Sequence, residues 1–308
     1  VTVEHVNRVL VTGASGFVGR QVVAPLLRHG FEVHVTSRTP FDASSAHEHR
    51  VDLFDESAVS QLIDTVRPTH LIHLAWYTKP HEYWHSPLNT AWESCSLHLF
   101  ESFVQNGGRR LVATGSCAEY QWGSEVLQEG VTPEVPATPY GCAKLSLQRR
   151  SEALTTKAGI SFSWARLFFL FGPHERKERF VPSIVDPLID REQAYCRNGD
   201  LFRDLLYVED AGDAIVALAR STVEGTVNIA SGAASQLGEV AVEIGSAMNL
   251  SQLVQVVSED SSSTEPKSIV ADVSRLSREV GWKPRFDRHD AIQRTIAWRI
   301  AQGRVNEA

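Results

Sequence analysis

Tyr140 and Lys144 stand four residues apart in the segment Tyr-Gly-Cys-Ala-Lys. On a helix, that spacing puts both side chains on one face, one turn apart. An ammonium near a phenol favours the phenolate, so such a pair can move a proton at a reacting oxygen. Bringing a tyrosine from its usual pKa of about 10 to roughly 7 takes about 4 kcal/mol of differential stabilisation. A second group is the run Gly13-Ala14-Ser15-Gly16-Phe17-Val18-Gly19. Glycines at this spacing permit a tight turn and a close backbone approach to a pyrophosphate. A following helix N-terminus adds free N–H groups and a positive dipole end. A third is Gly115-Ser116-Cys117-Ala118-Glu119-Tyr120, which carries the hydroxyl of Ser116, with that of Thr114 just before it.

These residues need a scaffold that gathers them, and the apolar pattern supplies one. Short apolar runs predict strands at Val9–Val11, Glu32–Thr36, Arg50–Leu53, His70–Ala75, Arg110–Thr114 and Ile160–Phe169. Helical spacing fills the gaps at Phe17–His29, Val59–Val66, Leu88–Phe103 and Tyr140–Thr155. Strand–helix alternation with right-handed crossovers predicts an α/β fold, a Rossmann-type doubly wound parallel sheet. The glycine run then sits at a strand–turn–helix junction, and Ser116 directly after the fifth strand, at the edge where such sheets bind ligands. After Pro173 the rhythm breaks down. The expected division is a dinucleotide-binding domain of residues 1–172 plus about 205–230, and a smaller substrate lobe of about 173–204 and 231–308.

Composition narrows the function. The chain has 308 residues, 43% hydrophobic and 22% charged, as in ordinary globular proteins. A net charge of −7 argues against a nucleic-acid partner. No apolar run approaches a membrane span, and no basic-then-apolar leader is visible, so a cytoplasmic protein is expected. Cys95, Cys117, Cys142 and Cys196 match no zinc spacing and read as reduced thiols. The 12 histidines are scattered, and His81 and His85 lack a metal motif around them, so no metal site is expected.

The Gly-x-x-Gly-x-x-Gly run, Ser116 and the Tyr140/Lys144 pair together resemble the extended short-chain dehydrogenase/reductases, in the nucleotide-sugar branch of epimerases, dehydratases and ketoreductases. The resemblance continues through Arg166-Leu-Phe-Phe-Leu-Phe-Gly-Pro173, Arg203-Asp-Leu-Leu-Tyr-Val-Glu-Asp210, Asn228 and Gly281-Trp-Lys-Pro284, over essentially the whole chain. It implies catalysis by Ser116, Tyr140 and Lys144. It implies a nicotinamide dinucleotide held by Gly13, Ser15, Gly16, Phe17, Val18 and Gly19, with Asp52 and Leu53 at the adenine. Leu74, Ala75, Thr114, Tyr140 and Lys144 would line the rest of its channel. Substrate would meet Ser116, Cys117, Phe169 and Arg203, the arginine contacting a diphosphate. A homodimer through the helices Leu88–Phe103 and Tyr140–Thr155 is a further family expectation.

Departures sharpen the reading. Family dehydratases carry an Asp-Glu pair where this chain has Cys117 and Ala118, which cannot serve as acid and base for eliminating water. Glu119 is one position late, and the shift re-aims its side chain. NAD-using relatives end the second strand with an aspartate for the ribose diol; here Ser37-Arg38 stand instead. A hydroxyl and a guanidinium suit a 2′-phosphate, so NADP(H) is favoured, with NAD(H) as the alternative. Phe169 and Trp92 replace asparagines common in the family, and the aromatic loop Trp76–Pro87 either stacks on a sugar or base or packs on the surface. The resulting expectation is NADPH-dependent reduction of a keto group on a nucleotide-activated, 6-deoxy-4-keto sugar. The alternatives are an NAD-dependent nucleotide-sugar 4-epimerase, a reductase of a non-sugar carbonyl and a non-catalytic NADP(H) sensor.

Overall fold

The computed structural model describes residues 7–38, 45–123, 126–257 and 265–306. Its centre is a seven-stranded sheet in which every pairing is parallel. The chain lays down β1 (Arg8–Thr12), α1 (Arg20–Arg28), β2 (Glu32–Ser37), β3 (His47–Arg50), α2 (Glu56–Val66) and β4 (His70–His73). Next come α3 (Leu88–Gln105), β5 (Arg110–Ser116), α4 (Pro139–Ala158) and β6 (Ser161–Leu167). The remaining elements are β7 (Phe169–Phe171), α5 (Phe180–Ile189), β8 (Ala194–Arg197), β9 (Phe202–Tyr207), α6 (Val208–Arg220) and β10 (Gly225–Ile229). They are followed by β11 (Ala234–Gln236), α7 (Leu237–Ala247), β12 (Val254–Val257), β13 (Ser268–Ile269) and α8 (Arg288–Asn306).

The sheet order is β3-β2-β1-β4-β5-β6-β10. The order reverses between β1 and β4, which opens a crevice beyond their C-terminal ends. Strand alternation sends Val9 and Val11 to one apolar layer, with Val22 and Leu26 of α1 and Ala214 and Ile215 of α6. Leu10 points the other way, into a layer with Ile63 of α2, Phe100 and Phe103 of α3 and Leu147 of α4. Helices therefore cover both faces of the sheet, as parallel strands require.

Beyond Gly172 smaller sheets form. β9 pairs with β7, β11 and β13, and β8 pairs with β12. α5, α7 and α8 enclose a separate apolar core around Val185, Ile244 and Ile292. Asp204 and Asp210 tie this region together. Asp204 is fully buried and accepts from Ser231, Gly232 and Ala271, while Asp210 accepts from the backbone of Arg285 and Phe286.

Several predicted boundaries move. The third strand is His47–Arg50, not Arg50–Leu53; it is an edge strand with exposed polar side chains, so it carries no apolar run to read. The fourth stops at His73, and the fifth runs on to Ser116, which is its last residue rather than the residue after it. The run Ile160–Phe169 is two strands. β6 ends at Leu167, Phe168 bonds Ile229, and β7 joins another sheet. Leu205–Tyr207 belong to the small sheet, and helix α6 begins only at Val208.

Candidate active site

The glycine turn between β1 and α1 is built by exclusion. Gly13 has φ +73°, and a Cβ there would stand 2.8 Å from the Ala75 backbone nitrogen. A Cβ on Gly19 would come within 2.0 Å of the Gly13 carbonyl. Only glycine lets the turn fold this tightly against the end of β4. The Gly16 N–H donates to the Gly13 carbonyl at 3.0 Å, and no side chain caps the first turn of α1. That cradle fits the diphosphate of a dinucleotide on backbone N–H groups and the helix dipole. Ser15, Phe17 and Arg20 line a cleft of about 610 Å³ together with His174, Glu175 and Asp186.

At the end of β2, Ser37 is buried and its hydroxyl donates to the Glu48 carboxylate on neighbouring β3. Arg38 follows, exposed. Asp52 is exposed and accepts from the Phe54 N–H at 3.1 Å, next to buried Leu53. Leu74 is half-buried and Ala75 buried, where β4 gives way to the aromatic loop. The segment 39–44, just beyond Arg38, lies outside the described residues.

Tyr140 and Lys144 lie on the first turns of α4. The helix starts where Thr138 accepts from the Gly141 N–H at 3.1 Å and Pro139 supplies a preset φ. Both side chains are buried. The Lys144 ammonium donates to the Thr114 carbonyl at 2.8 Å and sits 3.8 Å from the centre of the Trp76 ring. Burial pushes its pKa down to about 7, against a smaller upward pull from Glu119. Burial drives the Tyr140 phenol well above its usual value, against a smaller downward pull from the Ser116 hydroxyl. The resting phenol is therefore neutral and carries a proton to give. Three rings wall it edge-on: Tyr83 at 4.9 Å, Trp84 at 5.6 Å and Trp76 at 6.4 Å. The aromatic loop thus packs directly on the tyrosine.

Beneath this site lies a buried ionic floor. Glu119 is fully buried and accepts from the Ser116 N–H at 2.6 Å, Trp164 Nε1 at 2.9 Å and Arg166 Nε at 2.8 Å. Arg166 also reaches Glu134 at 2.8 Å. A carboxylate with these partners is committed to the scaffold, as its displaced position in the sequence implied. The Ser116 hydroxyl accepts from the Ala118 N–H at 3.2 Å, so it caps a short 3-10 helix as well as facing Tyr140. His73 is buried nearby between Thr12 at 2.7 Å and Ser96 at 2.9 Å. Burial and Lys144 hold its pKa down at about 3.

Cys117 is buried, and burial lifts its thiol to about 12, so it is a packing residue rather than a nucleophile. Phe169 lies beneath the Arg203 guanidinium, 5.5 Å from its carbon. Arg203 is buried and engaged with the protein: Nη2 meets Glu265 at 2.6 Å, and Nη1 donates to the Pro266 carbonyl at 3.0 Å. Two acidic groups escaped the sequence reading. Glu48 was hidden in a polar edge strand. Glu175 follows Gly-Pro-His with no pattern around it, yet it is buried, one oxygen has no hydrogen-bond partner, and burial raises its pKa to about 8.

A family model described as "NAD dependent epimerase/dehydratase family" matches residues 9–230, and the chain belongs to that family. UDP-glucuronic acid decarboxylase 1 of Xenopus tropicalis is 25% identical over 94% of this chain and 71% of its own length. UDP-glucose 4-epimerase of Lacticaseibacillus casei is 24% identical over 94% and 95%. Among solved structures, MoeE5 in complex with UDP-glucuronic acid and NAD superposes with TM-score 0.84 at 26% identity, covering 96% of this chain and 100% of that one. The UDP-glucose 4-epimerase of Thermus thermophilus, in complex with NAD, gives 0.83 at 24% identity, covering 94% and 98%. The chain is thus a nicotinamide-dependent enzyme of the extended short-chain dehydrogenase/reductase type, and the relatives named above are enzymes of nucleotide sugars. No helix among the described residues is long and apolar enough to cross a membrane.

Proposed function

We propose that the enzyme reduces the keto group of a nucleotide-activated 6-deoxy-4-keto sugar at the expense of NADPH. The observation that carries this reading is the neutral, buried Tyr140 beside Ser116 and Lys144, at the strand ends next to the glycine cradle. The glycine run from Gly13 to Gly19 would hold the cofactor's diphosphate, Asp52 and Leu53 its adenine, and Leu74, Ala75 and Thr114 its channel. When bound, the nicotinamide supplies the hydride. Tyr140 gives its phenolic proton to the sugar's carbonyl oxygen, and Ser116 orients that oxygen. Lys144 would hold the nicotinamide ribose, and its charge would lower the cost of the phenolate left behind. Arg203 contacts the substrate diphosphate by exchanging Glu265 for it, and Phe169 and Cys117 pack the sugar side. Ser37 and Arg38 receive the 2′-phosphate.

A second reading, an NAD-dependent 4-epimerase, is favoured by Glu48. Its carboxylate, on neighbouring β3, already accepts from the Ser37 hydroxyl at the end of β2, and an acid there suits a ribose diol and repels a phosphate. A non-catalytic sensor is disfavoured by the complete Ser116, Tyr140 and Lys144 set. The experiment is to measure the nucleotide carried by the purified protein and then titrate it with NADPH and NADH. Empty protein preferring NADPH tenfold or more supports the reductase; retained NAD overturns it in favour of the epimerase. We also propose a cytoplasmic homodimer through α3 and α4; light scattering that gives a monomer mass overturns the dimer.

A further inference from the structure

Away from the candidate active site, the outer edge of the large sheet carries four residues whose side chains converge. His47 and His49 are alternate residues of β3, so they share one face. The parallel register sets His47 directly opposite His34 of β2. Glu32 is two residues before His34, on the same face again. His34 Nε2 lies 2.9 Å from a Glu32 carboxylate oxygen, and the ligand atoms of Glu32, His34 and His47 all lie within 4.8 Å of one another. His34 stacks on both other imidazoles, with ring centres 4.8 Å from His47 and 5.2 Å from His49. His34 is buried, Glu32 half-buried and His47 exposed, so the cluster has a fixed base and an open mouth.

We infer that Glu32, His34 and His47 form a binding site for one divalent transition-metal ion of the zinc type. Two imidazoles and a carboxylate are a donor set that zinc accepts, with water in the fourth position. Donor atoms around tetrahedral zinc stand about 3.3 Å apart for bonds of about 2.0 Å. Closing the cluster to that size needs mainly a rotation of the exposed His47. Arg8 approaches one Glu32 oxygen at 3.3 Å and leaves the other, the one facing His34, for the ion.

His49 supports the ligand set from behind. Its Nε2 lies 2.9 Å from His34 Nδ1, so His34 can donate there while its Nε2 lone pair faces the metal. A ligating histidine normally donates its other ring nitrogen in this way, which fixes tautomer and ring orientation. An edge strand needs polar side chains to discourage pairing with another chain, but that requirement does not explain three imidazoles stacked around one carboxylate. The ion would clip β3 to β2, the pair that also carries Ser37 at the end of β2 and Glu48 next to His47 on β3.

The test uses the full chain, stripped with chelator and titrated calorimetrically with zinc chloride. One equivalent should bind with a dissociation constant in the micromolar range. His47→Ala, at an exposed position, should weaken it at least tenfold with its circular dichroism unchanged. Glu32→Gln should do the same, and His81→Ala, a surface control, should leave it intact. Cobalt(II) should give visible absorption bands of four-coordinate geometry in the wild type and lose them in His47→Ala. Absence of saturable binding below about 100 µM zinc, or binding unchanged in both His47→Ala and Glu32→Gln, overturns the site.

Discussion

Two buried glutamates mark the two ends of the candidate site, and their surroundings differ in kind. Glu119 lies under Ser116 with Trp164 and Arg166 as donors, and a full positive charge faces it at hydrogen-bond distance. Glu175 lines the cleft that Ser15 and Phe17 of the glycine turn also border. It too is buried, but one carboxylate oxygen has no hydrogen-bond partner, and Arg299 donates to its backbone carbonyl rather than to the carboxylate. A buried carboxylate stays charged only where hydrogen bonds and an opposite charge replace water. The first end is therefore a rigid floor that fixes a serine and a tyrosine. The second carries an acid tuned toward neutrality, beside the place where a diphosphate would lie.

The largest predicted effect is at the floor's cargo. Tyr140→Phe removes the proton donor and keeps the ring. Turnover should fall about a thousandfold or more, while cofactor affinity measured by fluorescence titration stays within twofold. Equal turnover would remove Tyr140 from the chemistry. Next is the floor itself. Glu119→Ala leaves Arg166 with the half-exposed Glu134 as its carboxylate partner, besides the Gln148 amide and the Tyr120 ring, and should cost about 3–5 kcal/mol in urea unfolding. A loss under 1 kcal/mol would mean the floor is dispensable.

At the other end the sign reverses. The folded-state pKa of Glu175 is raised to about 8 from 4.5, so its contribution to stability is fully present below pH 4.5 and is lost as pH rises through 8. Glu175→Gln should match the wild type at pH 4.5 and exceed it by up to about 3 kcal/mol at pH 7. A variant less stable than wild type at pH 7 would mean that the charged form is paired in solution. The smallest effect is Arg38→Ala. It should weaken NADPH about tenfold, or 1.4 kcal/mol, and NADH much less. Equal losses would assign Arg38 no phosphate and leave Glu48 to set the preference.

The same contrast explains what could be read from the sequence. The glycine run, the strand before it and the Tyr140/Lys144 pair were legible because backbone geometry and helical spacing demand those residue types at those intervals. Glu119 was legible in the negative, since its offset denied it an acid–base role. The third strand was not, because His47-Glu48-His49-Arg50 has no apolar side to mark it. Glu48 and the histidine cluster went unseen with it: their meaning arises from pairing with β2, and the spacing within β3 alone does not state it. Glu175 was invisible for a related reason, since nothing local distinguishes a glutamate that folding will bury. The break at Phe168 escaped because the apolar run Leu167–Phe171 passes through it without a turn residue, and only the partner strands differ.

The most direct test of the proposed chemistry follows the hydride. The enzyme would be given NADPH deuterated at the transferable C4 position and nucleotide-linked 6-deoxy-4-keto hexoses, with products read by mass spectrometry and NMR. The expected result is one deuterium at sugar C4, one equivalent of NADP⁺ released, and neither in Tyr140→Phe. Recovery of undeuterated sugar from every 4-keto substrate, with NADPH unconsumed by the wild type, would contradict it.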